Sequence, residues 1–548
     1  MAIIAPQPRS LKELIRDRYY EIPLYQRPYD WGIDQVSDLW DDIDKNDPGY
    51  FLGIVLFRPS KSEDPISNEF HIVDGQQRLA TILLLLRAAV ESLEEINAKR
   101  EANEFQKEYI AQRPAGKNES NARLTLVLSK RDRDKFEYLL RGQIFSNKRH
   151  LSSWRNLDNT IAFFRNKLRQ LAENKGKDGI IDFLNDKVLQ LSFIEIRLKT
   201  DSDVYQFFET LNDRGKDLEI ADLVKNRVCA EAKREQQDEE SSALSIDDIS
   251  EKLGAGNLKN FFLHYCWAND TDENPKPRKE LMDWYEKYIA KFHNVKKFLD
   301  HFDKYAAFYV NFVEPNKCDD SAKKRALIYI DALNASRCYP LLLVGEDILK
   351  KKDFVRLCKA IEILTARHST ILKRDAKVLE GVFYELVGKI RNKKEINEEI
   401  LNIFRSQESM KIDEQFKAAF SDFSPANHKV ARYILSQIEE YIAGKKQAFL
   451  SWEDLTLEHI LAEKLKWNGR DEYLDRIGNL TLLSLKMNSD AANKPFKEKR
   501  ERNYKKEKRI EMTKELINYS DFTKDTIIER QKNLTNRAVK IWNSKNIN

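Results

Sequence analysis

The sequence has few of the residues that make staples or metal cages. Five of its 548 residues are cysteine and eight are histidine. The cysteines (Cys229, Cys266, Cys318, Cys338, Cys358) are odd in number, far apart, and form no CxxC pair. That argues against a disulfide framework and against a zinc held by four thiolates. Long apolar runs are missing too. The longest, ATILLLLRAAV at residues 80–90, is broken by Arg87. It falls well short of the ~20 residues a bilayer span needs. No basic start runs into an apolar stretch, so no secretory signal is expected, and the reading is a cytoplasmic protein with no membrane partner. No fixed-period repeat is visible, which argues against a solenoid. Charge of one sign is also lacking: 94 Lys plus Arg stand against 89 Asp plus Glu, a net of +5.

What is present describes a folded chain, with 41% hydrophobic and 33% charged residues. At roughly 100–200 residues per domain the length predicts about three domains. Residues 1–235 mix strand and helix signals. GYFLGIVLF (49–57), FHIVD (70–74) and VLQLSFIEIRL (188–198) are strand-like, and QQRLATILLLLRAAVESLEEI (76–96) is helical. The acidic, Ser-rich stretch at 236–251 suits an exposed connection. From there to about 440 the period is helical, giving a connecting region at 236–405 and a last domain at 406–548. In that last domain LTLEHI (455–460) and NLTLLSL (479–485) are extended in type. The final 63 residues carry 17 Lys plus Arg against 9 Asp plus Glu, so a net of +8 is gathered at this end and −3 is left for the rest.

Three N-terminal segments suggest ligand chemistry. IPLYQRPYDW (22–31) alternates Tyr25 and two further aromatics with Gln26 and Arg27, which suits base stacking and phosphate contact; the plainer reading is a packed arm whose Tyr and Trp fill core. Asp74-Gly75-Gln76-Gln77-Arg78 follows a strand and opens a helix, a place that favours phosphate. The plainer alternative is a helix cap with a solvated Arg78. FETLNDRGKDL (208–218), followed by Asp222, Lys225 and Asn226, presents Asn212, Arg214 and Lys216 on one turn, as an anion-binding wall or a helix corner.

At the C-terminal end His459 closes one strand, Asn479 opens a second, and Asn488 follows nine residues later. Two strands and a helix carrying an acid–His pair and two Asn are the ββα-metal arrangement, in which a neutral His activates water and a cation neutralises the phosphate. KPFKEKRERNYKKEKR (494–509) is basic and interleaved with Phe496 and Tyr504. Lys494, Lys497, Lys499, Arg500, Arg502, Lys505 and Lys506 are its candidate DNA contacts.

Together these motifs resemble the GmrSD-type, modification-dependent (type IV) restriction endonucleases and their phage-defence relatives. The resemblance rests on residues 22–31, Phe51-Leu52-Gly53, 74–78 and 208–226 in front, and on 455–460, 478–483, Asn488, Asn493, Phe496, Lys499 and Tyr504 behind. Ala80 stands where the family usually has Thr, and Ala462 where it often has Pro. The resemblance implies a mainly α protein with an α+β, ParB/sulfiredoxin-like N-terminal domain, an all-helical middle and a C-terminal HNH (His-Me finger) nuclease domain. It also implies nucleoside triphosphate binding and hydrolysis at the 74–78 turn, coupled to sensing of modified DNA, and cleavage of modified phage double-stranded DNA. Carried over residue by residue, His459 is the general base and Asn479 orients it. Glu458 and Asn488 bind a divalent metal, Mg or Mn, and Asn493 is a further ligand or a cap. A homodimer would serve double-strand breaks. Two other readings stay open: a nucleotide-switched DNA-binding sensor whose nuclease domain is degenerate, and an HNH RNase toxin.

Overall fold

The computed structural model describes residues 3–24, 26–59, 68–112, 123–146, 151–198, 220–270, 280–444 and 452–547. The chain gathers into two compact units. One is Met1–Lys259 with Met282–Asp303, and the other is Asn260–Leu281 with Lys304–Asn548. The described residues are mainly helical, with one mixed sheet near the N-terminus.

Among its described residues the first unit has eight strands: β1 (Ile3–Ser10), β2 (Tyr19–Glu21), β3 (Phe51–Pro59), β4 (Glu69–Asp74), β5 (Ala111–Gln112), β6 (Arg123–Leu124), β7 (Leu126–Val127) and β8 (Ser192–Leu198). Six form a mixed sheet in the order β1-β8-β3-β4-β2-β7, while β5 and β6 pair separately. β3 runs antiparallel to β4 and parallel to β8. The helix Gln76–Glu95 leaves β4 directly, and its leucines are buried on all sides. It packs on the long helix Ser152–Asp182, which explains an apolar sequence without a polar face.

Two expectations from the sequence are corrected here. The stretch at 188–198 becomes strand only from Ser192, because Phe183–Val188 is a π-helical turn. Residues 236–251 are not an exposed connection. Asp238 caps a helix, Glu239–Leu253, by accepting from the Glu240 N–H. Ala243, Ile246, Ile249 and Leu253 then make a buried stripe at helical spacing among the acidic residues.

The second unit places helices such as Lys351–Thr365, Lys377–Lys393 and His428–Ala443 in one body with the C-terminal segment. There β9 (Leu455–His459) and β10 (Leu480–Ser484) form an antiparallel pair with His459 opposite Leu480. The helix Leu485–Ala491 follows immediately and packs against both strands. The helix Lys524–Ile541 packs against Asp413–Ser421 and His428–Ala443, and Trp542 beyond it is fully buried with its indole N–H on the Tyr433 hydroxyl, 2.8 Å away. All five cysteines are buried free thiols. Among the described residues no helix is long and apolar enough to cross a membrane.

Candidate functional site

The turn after β4 is a clamp made by its own side chains. Gly75, left-handed at φ +96°, is the N-cap of the helix Gln76–Glu95. One turn in, the Arg78 guanidinium donates to the carbonyls of Leu52 and Ile54, both at 2.8 Å. These carbonyls flank Gly53, whose φ is +120° and where an added Cβ would stand 2.3 Å from Arg78 Nη1. Gly53 therefore leaves the space that the Arg78 guanidinium fills. Burial pushes the Arg78 pKa below its ordinary value, opposed by Asp74. Arg78 is not the solvated charge of the plainer alternative.

Both glutamines face the N-terminal arm. The Gln77 amide donates to the Pro28 carbonyl and accepts from the Asp30 N–H, each at 3.0 Å. Gln76 donates to the Arg27 carbonyl at 3.5 Å, and its buried Oε1 has no hydrogen-bond partner. Gln26 is buried and donates to the Val73 carbonyl at 2.8 Å. From the third motif, Lys225 donates to the Gln26 carbonyl at 2.8 Å and is paired with Asp247 at 2.7 Å. Arg27 lies 3.7 Å from Asp30, and Asp74 keeps half its side chain exposed. The cavity bounded by Arg27, Gln76, Gln77 and Asp132 holds only about 10 Å³, room for roughly one water. Asp132 accepts from the Tyr29 N–H at 2.7 Å and the Ser153 hydroxyl at 2.6 Å, and burial raises its pKa to about 6. Tyr25, Asn212, Arg214 and Lys216 lie outside the described residues.

At the C-terminal end the hairpin brings His459, Asn479 and Asn488 together through the backbone. The Asn479 side chain is buried, accepts from the Leu461 N–H at 2.8 Å and donates to the Leu474 carbonyl at 2.9 Å. It thereby fixes the loop that leaves His459. Asn488 donates to the Leu457 carbonyl at 2.9 Å, tying the helix to β9. Behind the turn, Gln531 accepts from the Gly478 N–H at 2.6 Å and Arg530 donates to the Gly478 and Leu480 carbonyls, both at 2.8 Å.

His459 is partly exposed, with Nε2 3.1 Å from Asp475 Oδ1. A carboxylate only accepts, so across this contact the imidazole donates from Nε2. Asp475 escaped the sequence reading. An acid four residues ahead of Asn479 carries no periodic signal, and only the folded loop brings it to the imidazole.

Glu458 and Lys499 depart from expectation. Strand alternation sends Glu458 to the face opposite His459. There its carboxylate is buried 2.6 Å from the Lys499 ammonium, which also donates to the His459 carbonyl at 2.6 Å. Lys499 was expected to meet DNA, but it is fully buried. It lies between Phe496 and Asn503 on the inward side of its helix. Asn493 is exposed just past the helix Leu485–Ala491. Among the described residues no three His, Cys, Asp or Glu side chains gather as a metal cage. Glu458, expected as a metal ligand, is engaged by Lys499 at 2.6 Å.

The rest of the basic stretch is at or near the surface. Lys497, Arg502, Lys505 and Lys506 are exposed. Lys494 and Arg500 are half-buried, the latter donating to the Tyr519 carbonyl at 2.7 Å.

Comparison with known families agrees with both ends of the chain. Residues 11–229 match the N-terminal domain of the GmrSD restriction endonucleases, and residues 410–537 match their C-terminal domain. No curated protein matches the chain. The first match spans the arm, the 74–78 turn and β8, and the second spans the hairpin and the basic helices. The chain belongs to the GmrSD restriction endonuclease family.

Proposed function

We propose that this protein is a nucleotide-regulated DNA endonuclease of phage defence, acting on modified DNA, with His459 as the general base. The observation that carries the reading is the suspension of His459. Asp475 engages Nε2 at 3.1 Å, Lys499 holds the backbone carbonyl at 2.6 Å, and Asn479 closes the following loop. A base held this way can take a proton from water while the water attacks phosphorus. The exposed Lys497, Arg502, Lys505 and Lys506 supply cations for the DNA backbone. In the N-terminal unit the helix start at Gly75, with the exposed Asp74 and the half-exposed Arg27 near it, is the place that would hold the nucleotide. ParB/sulfiredoxin-like and HNH folds agree with the mixed sheet and with the hairpin followed by a helix.

The test is cleavage of plain and modified phage DNA by the full chain, with and without each nucleoside triphosphate and Mg²⁺ or Mn²⁺. The parent is expected to cut, His459→Ala to lose cutting, and Asp475→Asn to fall roughly 10- to 100-fold with folding unchanged. A His459→Ala protein that cut as well as the parent would end the reading. One observation favours a second reading, a DNA-binding sensor without cleavage: Glu458 is occupied by Lys499. That reading expects DNA binding and nucleotide hydrolysis with no strand breaks in any metal.

A further inference from the structure

A cavity of about 890 Å³ opens among the helices of the second unit, and none of its walls comes from the β9–β10 hairpin. Its size is in the range of small-ligand pockets. The helix Lys351–Thr365 runs along it into a π-helical turn, Ala366–Ile371. Such widened turns recur at functional sites. Thr365 lines the cavity, is 4% exposed, and its hydroxyl has no hydrogen-bond partner. The Ser369 hydroxyl, one turn on, is in the same state. Two adjacent buried hydroxyls without partners cost free energy unless something fills the space before them.

Charge and shape narrow what fills it. Two long helices, Lys377–Lys393 and His428–Ala443, begin at cavity residues Ala376 and Asn427, and helix N-termini favour an anion. Arg337 at the wall is neutralised by Glu380, 2.5 Å away. Lys373 at the rim adds a positive charge, from a left-handed backbone at φ +52° that a lysine rarely adopts. Trp267 and Phe383 supply flat apolar surface. Flat rings, hydroxyl-bonding groups and an anion-favouring rim call for one kind of ligand.

We propose that this cavity binds a nucleotide, with the base on Trp267 and Phe383, Thr365 and Ser369 bonding base or sugar, and the phosphate at Lys373. The ligand comes either as a free nucleotide or as one swung out of a DNA duplex. The cavity shares no residue with the 74–78 turn and does not depend on the role of His459.

The test uses the full chain and two variants, Thr365→Val, which keeps the shape and removes the hydroxyl, and Lys373→Glu at an exposed position. One arm titrates deoxyadenosine and deoxycytidine monophosphates by calorimetry. The other follows the fluorescence of a duplex carrying 2-aminopurine, which brightens when the base leaves the stack. Binding in one arm is expected, ~5- to 10-fold weaker in Thr365→Val and at least ~10-fold weaker in Lys373→Glu. Weakening in the first arm identifies a free nucleotide, and in the second a nucleotide of DNA. The proposal is overturned if neither probe binds, or if both variants bind as the parent does, which would move the ligand elsewhere.

Discussion

The Lys499 ammonium lies 2.6 Å from Glu458 Oε1 and the same distance from the carbonyl oxygen of His459, so one buried cation supports the strand that carries the candidate base. Burial dominates this pair. It pushes the Glu458 carboxyl above its usual range and the Lys499 ammonium below its own, although each has the other as partner. A pair in that condition fixes geometry more than it adds stability. Lys499→Met alone is expected to cost about 3–5 kcal/mol, because it strands a buried carboxylate. Adding Glu458→Gln is expected to return most of the loss. Urea denaturation of the parent, the two single variants and the double variant makes the cycle, and equal stabilities for Lys499→Met and the double variant would refute it.

Asp132 predicts a pH signature for the first unit. Its folded pKa of about 6 exceeds the ordinary 3.8 because burial disfavours the charge. The folded state therefore holds the proton more tightly. The group's contribution is fully present below pH ~4 and is lost as pH rises to ~6, a fall of about 3 kcal/mol. Denaturation midpoints at pH 4 and 7 are expected to show this decline in the parent and to lose it in Asp132→Asn. A decline of the same size in the variant would assign it to another group.

Gly53→Ala is expected to disrupt the first unit through Arg78. The new methyl would stand 2.3 Å from Nη1, on a backbone at φ +120°. Arg78 would have to release the Leu52 or Ile54 carbonyl. The strain alone is worth roughly 1–3 kcal/mol, to which the lost hydrogen bonds add. Thermal melting measures it, and a melting temperature within a degree of the parent would show that the guanidinium is free to move.

Much of this was legible in the sequence, and the exceptions have physical reasons. β3, β4, the helix Gln76–Glu95, β9 and β10 were visible because each is a strongly patterned apolar run with turn residues at its ends. β1 was not, since IIAPQPRS carries two prolines that an edge strand tolerates and a central strand would not. The helix Glu239–Leu253 was hidden by its acidic surface, although its apolar stripe keeps helical spacing. Lys499 misled because a basic run reads as a solvated face. Yet Phe496, Lys499 and Asn503 are three and four residues apart, and all three are buried. The partnerships of Glu458 with Lys499 and of His459 with Asp475 join residues 41 and 16 apart. No local pattern encodes such pairs.

The same helix periodicity divides the basic stretch into cations that can meet DNA and one that cannot. Lys497, Arg502, Lys505 and Lys506 are exposed. Lys497, Arg502 and Lys505 pair at the surface with Asp521, Glu498 and Glu501, contacts weak enough for phosphate to displace. Each phosphate neutralised releases counterions and contributes a slope of about −0.9 to log K against log salt. Changing all four to Gln is therefore expected to flatten that slope by roughly 3–4 on plain duplex DNA, with the fold unchanged. Lys499→Gln is expected to act oppositely, lowering stability with little direct effect on the slope of the protein that remains folded. Fluorescence anisotropy between 50 and 200 mM salt reads both. An unaltered slope in the quadruple variant would move the DNA-binding face off this stretch.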